Sequence, residues 1–389
     1  MEPMTLPDWP LWVPCLLFGV LAVEWGITQS RIRHLEDLPE DGVPDPLPSV
    51  CLCIPARNEE AEIGRALDSW LAQEHPALRV VVVDDGSTDR TPEILAPRAA
   101  ARPERLRVLR NDTLPPGWLG KNHALHLATR TPEALAAEWL VFADADVQAD
   151  PGLLARAFAY LERRPADVLA LVPAVDTVGW AERLVLPMGA MGFLWLSPPQ
   201  RVADPKSPFF CGVGAFTLIR RSAYAAIGGH AADPLEAVDD MMLAGRAKRA
   251  GFLNRMACGG RPVDGSGGGG LHLRMYRGLG DLVRSMRKNA LAFPWLWGLA
   301  PLLAPGLVAL FAVPLLLATF GWPVAGLLIW LVWPAMVAEA HQRTTGRGAD
   351  PIWMLWPLVG LVLAAGVLWA FWDRLRGLNH WRGREVRLS

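Results

Sequence analysis

Short β-branched and apolar runs recur along the first half of the chain, at Val50 to Ile54, Val80 to Val83, Leu106 to Leu109, Trp139 to Ala143 and Val168 to Val172. Helically patterned stretches separate them. Strands that alternate with helices predict βαβ units and a mostly parallel sheet covered on both faces, an α/β fold. Ligands of such sheets bind beyond the carboxyl ends of the strands, so polar groups placed there carry more weight than the same groups elsewhere.

A different pattern takes over later. From Ala290 to Ala338 there is no charged residue, enough for two membrane spans, and Phe320-Gly321-Trp322-Pro323 supplies a turn between them. A second uncharged run, Pro351 to Trp372, is bracketed by Asp350 and Asp373. Near the start, Pro10 to Val23 is apolar but is interrupted by Glu24 before the basic stretch Arg31 to His34, which suits a marginal span or an interfacial anchor. The positive-inside rule then places the chain after it in the cytoplasm. The expected division is a membrane segment at 1–30, a cytoplasmic catalytic domain at 31–289, two to three transmembrane helices at 290–372 and a basic tail at 373–389. Three C-terminal crossings would leave that tail outside, in conflict with the charge rule.

Composition sharpens the picture in three respects. Hydrophobic residues make up 52% of the chain, and Trp outnumbers Tyr by 18 to 3, as expected where rings sit at a membrane interface or fill a core. The 38 basic and 39 acidic residues nearly cancel, so no basic surplus points to nucleic acid as a partner. Five cysteines without paired spacing read as reduced core thiols.

The candidate chemistry lies at the strand ends. After the first strand comes Pro55-Ala56-Arg57-Asn58-Glu59-Glu60, after the second Asp84-Asp85-Gly86-Ser87-Thr88-Asp89, and after the fourth Asp144-Ala145-Asp146. Alone, Asp84 to Asp89 reads equally as a turn with a helix cap. Acidic turns gathered on one edge raise one another's pKa, and a hard divalent cation with oxygen ligands removes that cost. Between these turns stands Pro116-Gly117-Trp118-Leu119-Gly120-Lys121, where a lysine at a helix start suits a phosphate; alone it reads more readily as an exposed surface lysine, and its place between the acidic motifs favours the phosphate. Downstream, Glu236-Ala237-Val238-Asp239-Asp240 opens another helical pattern. The Gly-rich run Gly265 to Gly270 is either a linker or the hinge of a loop.

These motifs resemble the family 2 glycosyltransferases of GT-A fold, the nucleotide-diphospho-sugar transferases. The turn after the first strand, the acidic turn at 84–89, the DxD element at Asp144 to Asp146, a G-W-x-G-K segment at 117–121 and an E-D element at 239–240 all match in order. The resemblance implies that Pro55, Ala56, Arg57, Glu59, Asp84, Asp85, Lys121, Asp144 and Asp146 surround the donor. It puts Asp84 or Asp85 on the base and Asp146 on an Mg2+ or Mn2+ ion. It makes Asp240 the general base, with Asp239 beside it where Glu is commoner, and it sets Gly212, Gly214 and Arg277 at the acceptor pocket. No Q-x-x-R-W element of the processive synthases follows Asp240. Arg274 to Gly278 is similar instead to the smaller lipid-directed members, such as the carotenoid- and hopanoid-associated glucosyltransferases.

The expectation is therefore an inverting, metal-dependent transfer of a sugar, glucose foremost, from a UDP-sugar to a lipid or isoprenoid hydroxyl. The enzyme would be a multi-pass protein of the cell membrane with its catalytic domain facing the cytoplasm. The rival expectations are a processive polysaccharide synthase and a non-catalytic membrane protein that binds nucleotide-sugar.

Overall fold

The run that begins at Val50 is apolar on both faces because it lies at the middle of a sheet with helices on either side. In the computed structural model, residues 9–33, 35, 43–259, 270–276, 278–283, 300–319, 321–345, 348–376, 380–381 and 384–385 are described. Strand β1 (Val50–Ala56) pairs in parallel with β2 (Leu78–Asp84) and β4 (Trp139–Phe142), and β3 (Leu106–Arg110) pairs in parallel with β2. The sheet continues through β8 (Thr217–Arg220), β6 (Val168–Val172) and β9 (Asn254–Cys258), in the order β3-β2-β1-β4-β8-β6-β9. Only β8 is antiparallel to its neighbours. The expected mostly parallel sheet is present.

Strand alternation sorts the core into two layers. Val50, Leu52 and Ile54 pack with Ile63, Leu67 and Trp70 of α2 (Ile63–Leu71) and with Leu154 and Phe158 of α6 (Leu153–Arg163). Cys51 and Cys53 point the other way, toward Ala124 and Leu125 of α4 (Gly120–Ala128) and the cluster containing Leu243 and Ala247 of α10 (Asp239–Arg249). Cys51, Cys53, Cys211 and Cys258 are buried free thiols, as expected; the Cys15 side chain lies outside the described residues. A small second sheet places β10 (Leu271–Leu273) between β5 (Gln148–Ala149) and β7 (Ala174–Val175).

The chain divides into two units. The sheet and its helices form one. The other gathers α1 (Trp9–Arg31), α7 (Trp180–Leu196) and the apolar helices Ala300–Thr319, Pro323–Thr345 and Pro357–Leu375. Here α1 runs straight through Glu24 to Arg31 instead of ending at the apolar stretch. The turn foreseen at 320–323 is present, with Gly321 at φ +92° and a new helix from Pro323; Phe320 lies outside the described residues. The run from Pro351 is a 3-10 turn, Pro351–Leu355, followed by a helix, because Pro357 restarts the chain as an N-terminal helical residue.

Tryptophans build the centre of this helical unit. Trp25 meets Trp195 at 5.6 Å, Trp195 meets Trp333 at 5.5 Å and Trp333 stacks on Trp356 at 5.1 Å. A Cβ at Gly360 would come within 2.6 Å of Phe311 Cβ, so glycine is what lets those two helices approach. Outward positions stay apolar, including Val324, Leu327, Leu328, Leu361 and Trp372. Among the described residues, Pro323–Gln342 is the one helix long and apolar enough to cross a membrane, and Pro357–Trp369 is apolar but shorter.

Candidate active site

The first two acidic turns are latched together at the carboxyl edge of the sheet. Asn58 takes φ +55°, a left-handed conformation that Asn tolerates, and its Oδ1 accepts the Thr88 N–H at 2.8 Å. The Asn58 N–H donates to Ser87 Oγ at 3.0 Å and the Glu59 N–H to Thr91 Oγ1 at 2.8 Å. Arg57 reaches the carbonyls of Asp85 and Gly86, and the Asp85 N–H bonds the Ala56 carbonyl at 2.8 Å. Asp84 is buried, accepts the Ser87 N–H and pairs with Arg110 at 2.6 Å. Asp85, also buried, accepts from Asn111 Nδ2 at 2.7 Å, and the same amide group lies 3.2 Å from His123 Nδ1.

The third acidic turn meets the lysine. Lys121, in the first turn of α4, places its Nζ 2.9 Å from Asp144 Oδ1 and 3.2 Å from Asp239 Oδ1. Asp144 and Asp239, from well-separated parts of the chain, thus share one cation. The cleft around it is lined by Pro55, Asp144, Gly214, His230, Asp239 and Asp240 among others. Asn122, next to the lysine, donates to the Glu236 carbonyl at 2.8 Å and lies within 3.3 Å of those of Asp233 and Pro234. It ties the start of α4 to the loop that leads into the acid pair.

Two glycines are required by close approach. A Cβ at Gly212 would sit 2.0 Å from the Asp240 carbonyl oxygen, and one at Gly214 would sit 2.8 Å from Asp144 Oδ2. The Gly214 carbonyl also accepts the Asp144 N–H at 3.0 Å. The structure therefore sets both glycines against the acids themselves.

The adjacent acids differ in surroundings. Asp239 is buried and faces Lys121 on one side and His230 on the other, where Nε2 lies 3.8 Å from Oδ2. Asp240 is half-buried at the cleft. Burial, reinforced by the charge of Asp239, pushes the Asp240 carboxyl up to about 6, against the opposing pull of Lys121. For Lys121 burial disfavours the charge, but Asp144, Asp239 and Asp240 together hold the ammonium well above its ordinary value. The site thus contains a fixed cation and a carboxylate that exchanges its proton near neutrality.

Of the residues singled out in sequence, Pro55, Lys121, Asp144, Gly214, Asp239 and Asp240 line one cleft, with Gly212 against the Asp240 backbone. Ala56, Arg57, Glu59, Asp84 and Asp85 build the adjoining double turn. Asp146 is half-buried two residues beyond Asp144, and Arg277 lies outside the described residues. Tyr224 and His230 belong to a stretch, 211–230, whose resemblance to related enzymes implies a wall of the acceptor pocket; the sequence gives no role to Asn111, Asn122 and His123. Each is a single polar residue in an apolar or helical stretch, and only their nearness in space reveals them.

Among the described residues, no three His, Cys, Asp or Glu side chains converge as a ready-made metal cage. Magnesium needs none, since it binds through one or two carboxylates and completes its shell from phosphate and water. Asp144 and Asp146, both on the turn after β4, fit that demand.

Residues 51–228 match the family described as Glycosyl transferase family 2. A β-monoglucosyldiacylglycerol synthase of Synechocystis sp. is 34% identical over 164 residues, which is 39% of this chain and 31% of that protein. A 4,4'-diaponeurosporenoate glycosyltransferase of Staphylococcus haemolyticus is 34% identical over 100 residues, 26% of this chain and 24% of the relative. The chain thus spans about a third or less of the curated relatives it matches. In structure it is similar to the mannosyltransferase PcManGT of Pyrobaculum calidifontis, solved with GDP-Man and Mn2+, at a TM-score of 0.53 and 21% identity over 92% of this chain and 96% of that one. That similarity establishes a GT-A-like fold.

Proposed function

We propose that the protein transfers a sugar, glucose foremost, from a nucleotide-diphosphate donor to the hydroxyl of a membrane lipid or isoprenoid, with inversion at the sugar. The observation that carries this reading is the convergence of Lys121, Asp144, Asp239 and Asp240 on one cleft at the ligand edge of the sheet. Lys121 attracts the diphosphate, and the double turn at 55–60 and 84–89 holds the nucleoside end of the donor. Asp146, with Asp144 beside it, would hold Mg2+ or Mn2+, which when bound supplies positive charge to the diphosphate leaving group. Asp240 accepts the acceptor's hydroxyl proton. A carboxylate of pKa about 6 suits that role, because it is largely ionised at pH 7 yet basic enough to take a proton as the glycosidic bond forms.

The lipid acceptor and a multi-pass anchor in the cell membrane, with the sheet unit in the cytoplasm, are supported by the outward apolar faces of the helical unit and by the lipid-directed relatives. In this reading α7 joins the anchor, and Val178 and Trp180 at its start remain exposed. The test is turnover by the full chain in detergent. UDP-glucose, UDP-galactose and GDP-mannose would each be offered with diacylglycerol micelles and Mn2+. Radiolabel moving into the organic phase from one donor supports the reading. Binding of a donor without transfer to a lipid, a sugar or water would instead favour a non-catalytic nucleotide-sugar-binding protein.

A further inference from the structure

Behind the acid pair lies a buried polar chain of Thr129, Tyr224 and His230. His230 sits on the 3-10 turn Gly229–Ala231 and is almost fully buried. Its Nδ1 is 2.9 Å from the Tyr224 hydroxyl, which also accepts the His230 backbone N–H at 3.1 Å and lies 3.3 Å from Thr129 Oγ1. The other ring nitrogen, Nε2, is the one that faces Asp239. A neutral imidazole has one donor and one acceptor. With the tyrosine O–H turned to Nδ1, the ring proton sits on Nε2 and points at the carboxylate.

The surroundings hold the ring in that state. Phe142 packs edge-on against it at 4.8 Å. The charged groups facing it are Asp239, Lys121 and Arg246, and burial with the two cations keeps the imidazole neutral against the pull of Asp239. The turn is also shaped to bring tyrosine and histidine together. A Cβ at Gly229 would fall 2.3 Å from the Tyr224 ring, and Gly229 has φ +54°, so only glycine lets the ring lie against the turn.

We propose that Tyr224 and His230 are positioning residues that fix Asp239 against Lys121, so that Asp240 alone is presented to the acceptor. This rests on the assignment of Asp240 as the base. The two acids are neighbours at the start of one helix, and a carboxylate free to turn could compete for the lysine or for the acceptor proton. A ring N–H facing the far side of Asp239 limits that freedom: Oδ1 is paired with Lys121 at 3.2 Å, and Oδ2 faces the His230 ring, whose Nε2 lies 3.8 Å away, beyond the length of a direct hydrogen bond.

The experiment compares His230→Phe, His230→Gln, Tyr224→Phe and Asp240→Asn in the full chain in detergent. Turnover is read as UDP release from UDP-glucose with diacylglycerol micelles, donor-site binding as the Kd of UDP with Mn2+, and folding by melting temperature. His230→Phe keeps the packing but removes the donor, and should lower kcat about tenfold, less than the loss of the base itself, while the Kd stays within about twofold. His230→Gln restores an N–H donor and should recover most of the rate, and Tyr224→Phe should fall between. Equal defects in the Gln and Phe variants, or a Kd that weakens in step with kcat, would assign His230 a packing role only and overturn the proposal. Full activity of His230→Phe beside an inactive Asp240→Asn would also overturn it while leaving the base in place. Full activity of Asp240→Asn would remove the base assignment, and the positioning role with it.

Discussion

Replacing Asp240 by Asn should stabilise the protein while silencing it. In the folded chain this carboxyl is raised from 3.8 to about 6, chiefly by burial and by Asp239. Keeping it ionised above that pH therefore costs the fold. A shift of about two units corresponds to about 3 kcal/mol, and water in the cleft screens part of it, leaving about 1.5 kcal/mol for the substitution to recover. For a unit of this size that is a rise in melting temperature of about 3–6 °C. The sign with pH follows from proton binding. Between about pH 4 and 6 the native carboxyl holds a proton that the unfolded chain has released, so protonation relieves the cost as pH falls. The advantage of the variant should be full above pH 6 and vanish below about 4. Turnover should drop 100-fold or more, as is usual when a general base is lost. Scanning fluorimetry at pH 7.5 and 4.5, with UDP release measured in parallel, reads both quantities. A variant that melts lower than the parent at pH 7.5 would show that the charge of Asp240 is compensated in the fold and would refute the energetic argument; near-normal turnover would refute the role of base.

Three other outcomes are expected. EDTA should abolish turnover, and Asp146→Ala should do the same with an unchanged melting temperature and loss of Mn2+-dependent UDP binding by calorimetry; full activity after metal stripping would remove the ion from the mechanism. Gly212→Ala would drive a Cβ to 2.0 Å from the Asp240 carbonyl oxygen, so turnover should fall at least about 100-fold, since even a 1 Å misplacement of a catalytic group costs that much, whereas Gly117→Ala, with open space around its Cβ but φ +83°, should cost only about 1 kcal/mol in stability. His75 is buried with both ring nitrogens unpartnered among the described residues, and burial pushes its pKa down to about 4. The unfolded chain binds that proton first, so stability should fall as pH drops from about 6.5 to 4, and His75→Phe should flatten this acid limb by about 1–3 kcal/mol in chemical denaturation at pH 5.

The parts of the fold that could be read from sequence are those in which burial leaves a repetitive trace. Strands β1, β2, β4 and β6 are apolar on both faces, and a two-sided core admits little else. Strands β8 and β9 escaped notice because they are short and carry Thr217, Arg220, Asn254 and Arg255, and their places are set by pairing with β4 and β6 rather than by their own pattern. Helix α7 contains Glu182, Arg183 and Pro187, so nothing in it announces membership of the helical unit. Glu182 is tolerated there because it accepts the N–H groups of Val178, Gly179 and Gly278. The acidic motifs were legible because several carboxylates at strand ends are costly without a purpose. Several of their partners were not, since a lone Asn111 or Asn122 is indistinguishable in sequence from any satisfied core polar group.

Charge balance at the cleft links these observations. Among the described residues lining the cleft, the acids Asp144, Asp239 and Asp240 stand against Lys121 as the cation. That leaves an excess of negative charge in the very place where the proposed reading brings a diphosphate. Like charges this close cannot accumulate without either protonation or added cations. Protonating Asp240 would remove the base, and moving Lys121 to the phosphates would leave Asp144 and Asp239 uncompensated. A divalent cation entering with the donor resolves the conflict, since it offsets two charges at once and needs only oxygen ligands. In the proposed reading Asp146, half-buried two residues beyond Asp144, would help to hold such a cation. In the same reading Lys121 holds the acid cluster together before the donor arrives and would contact the diphosphate afterwards. Lys121→Met should therefore weaken the binding of UDP with Mn2+ and also lower the melting temperature in the absence of any ligand. A variant that lost only one of the two would break the link between the charge balance of the resting cleft and its affinity for the donor.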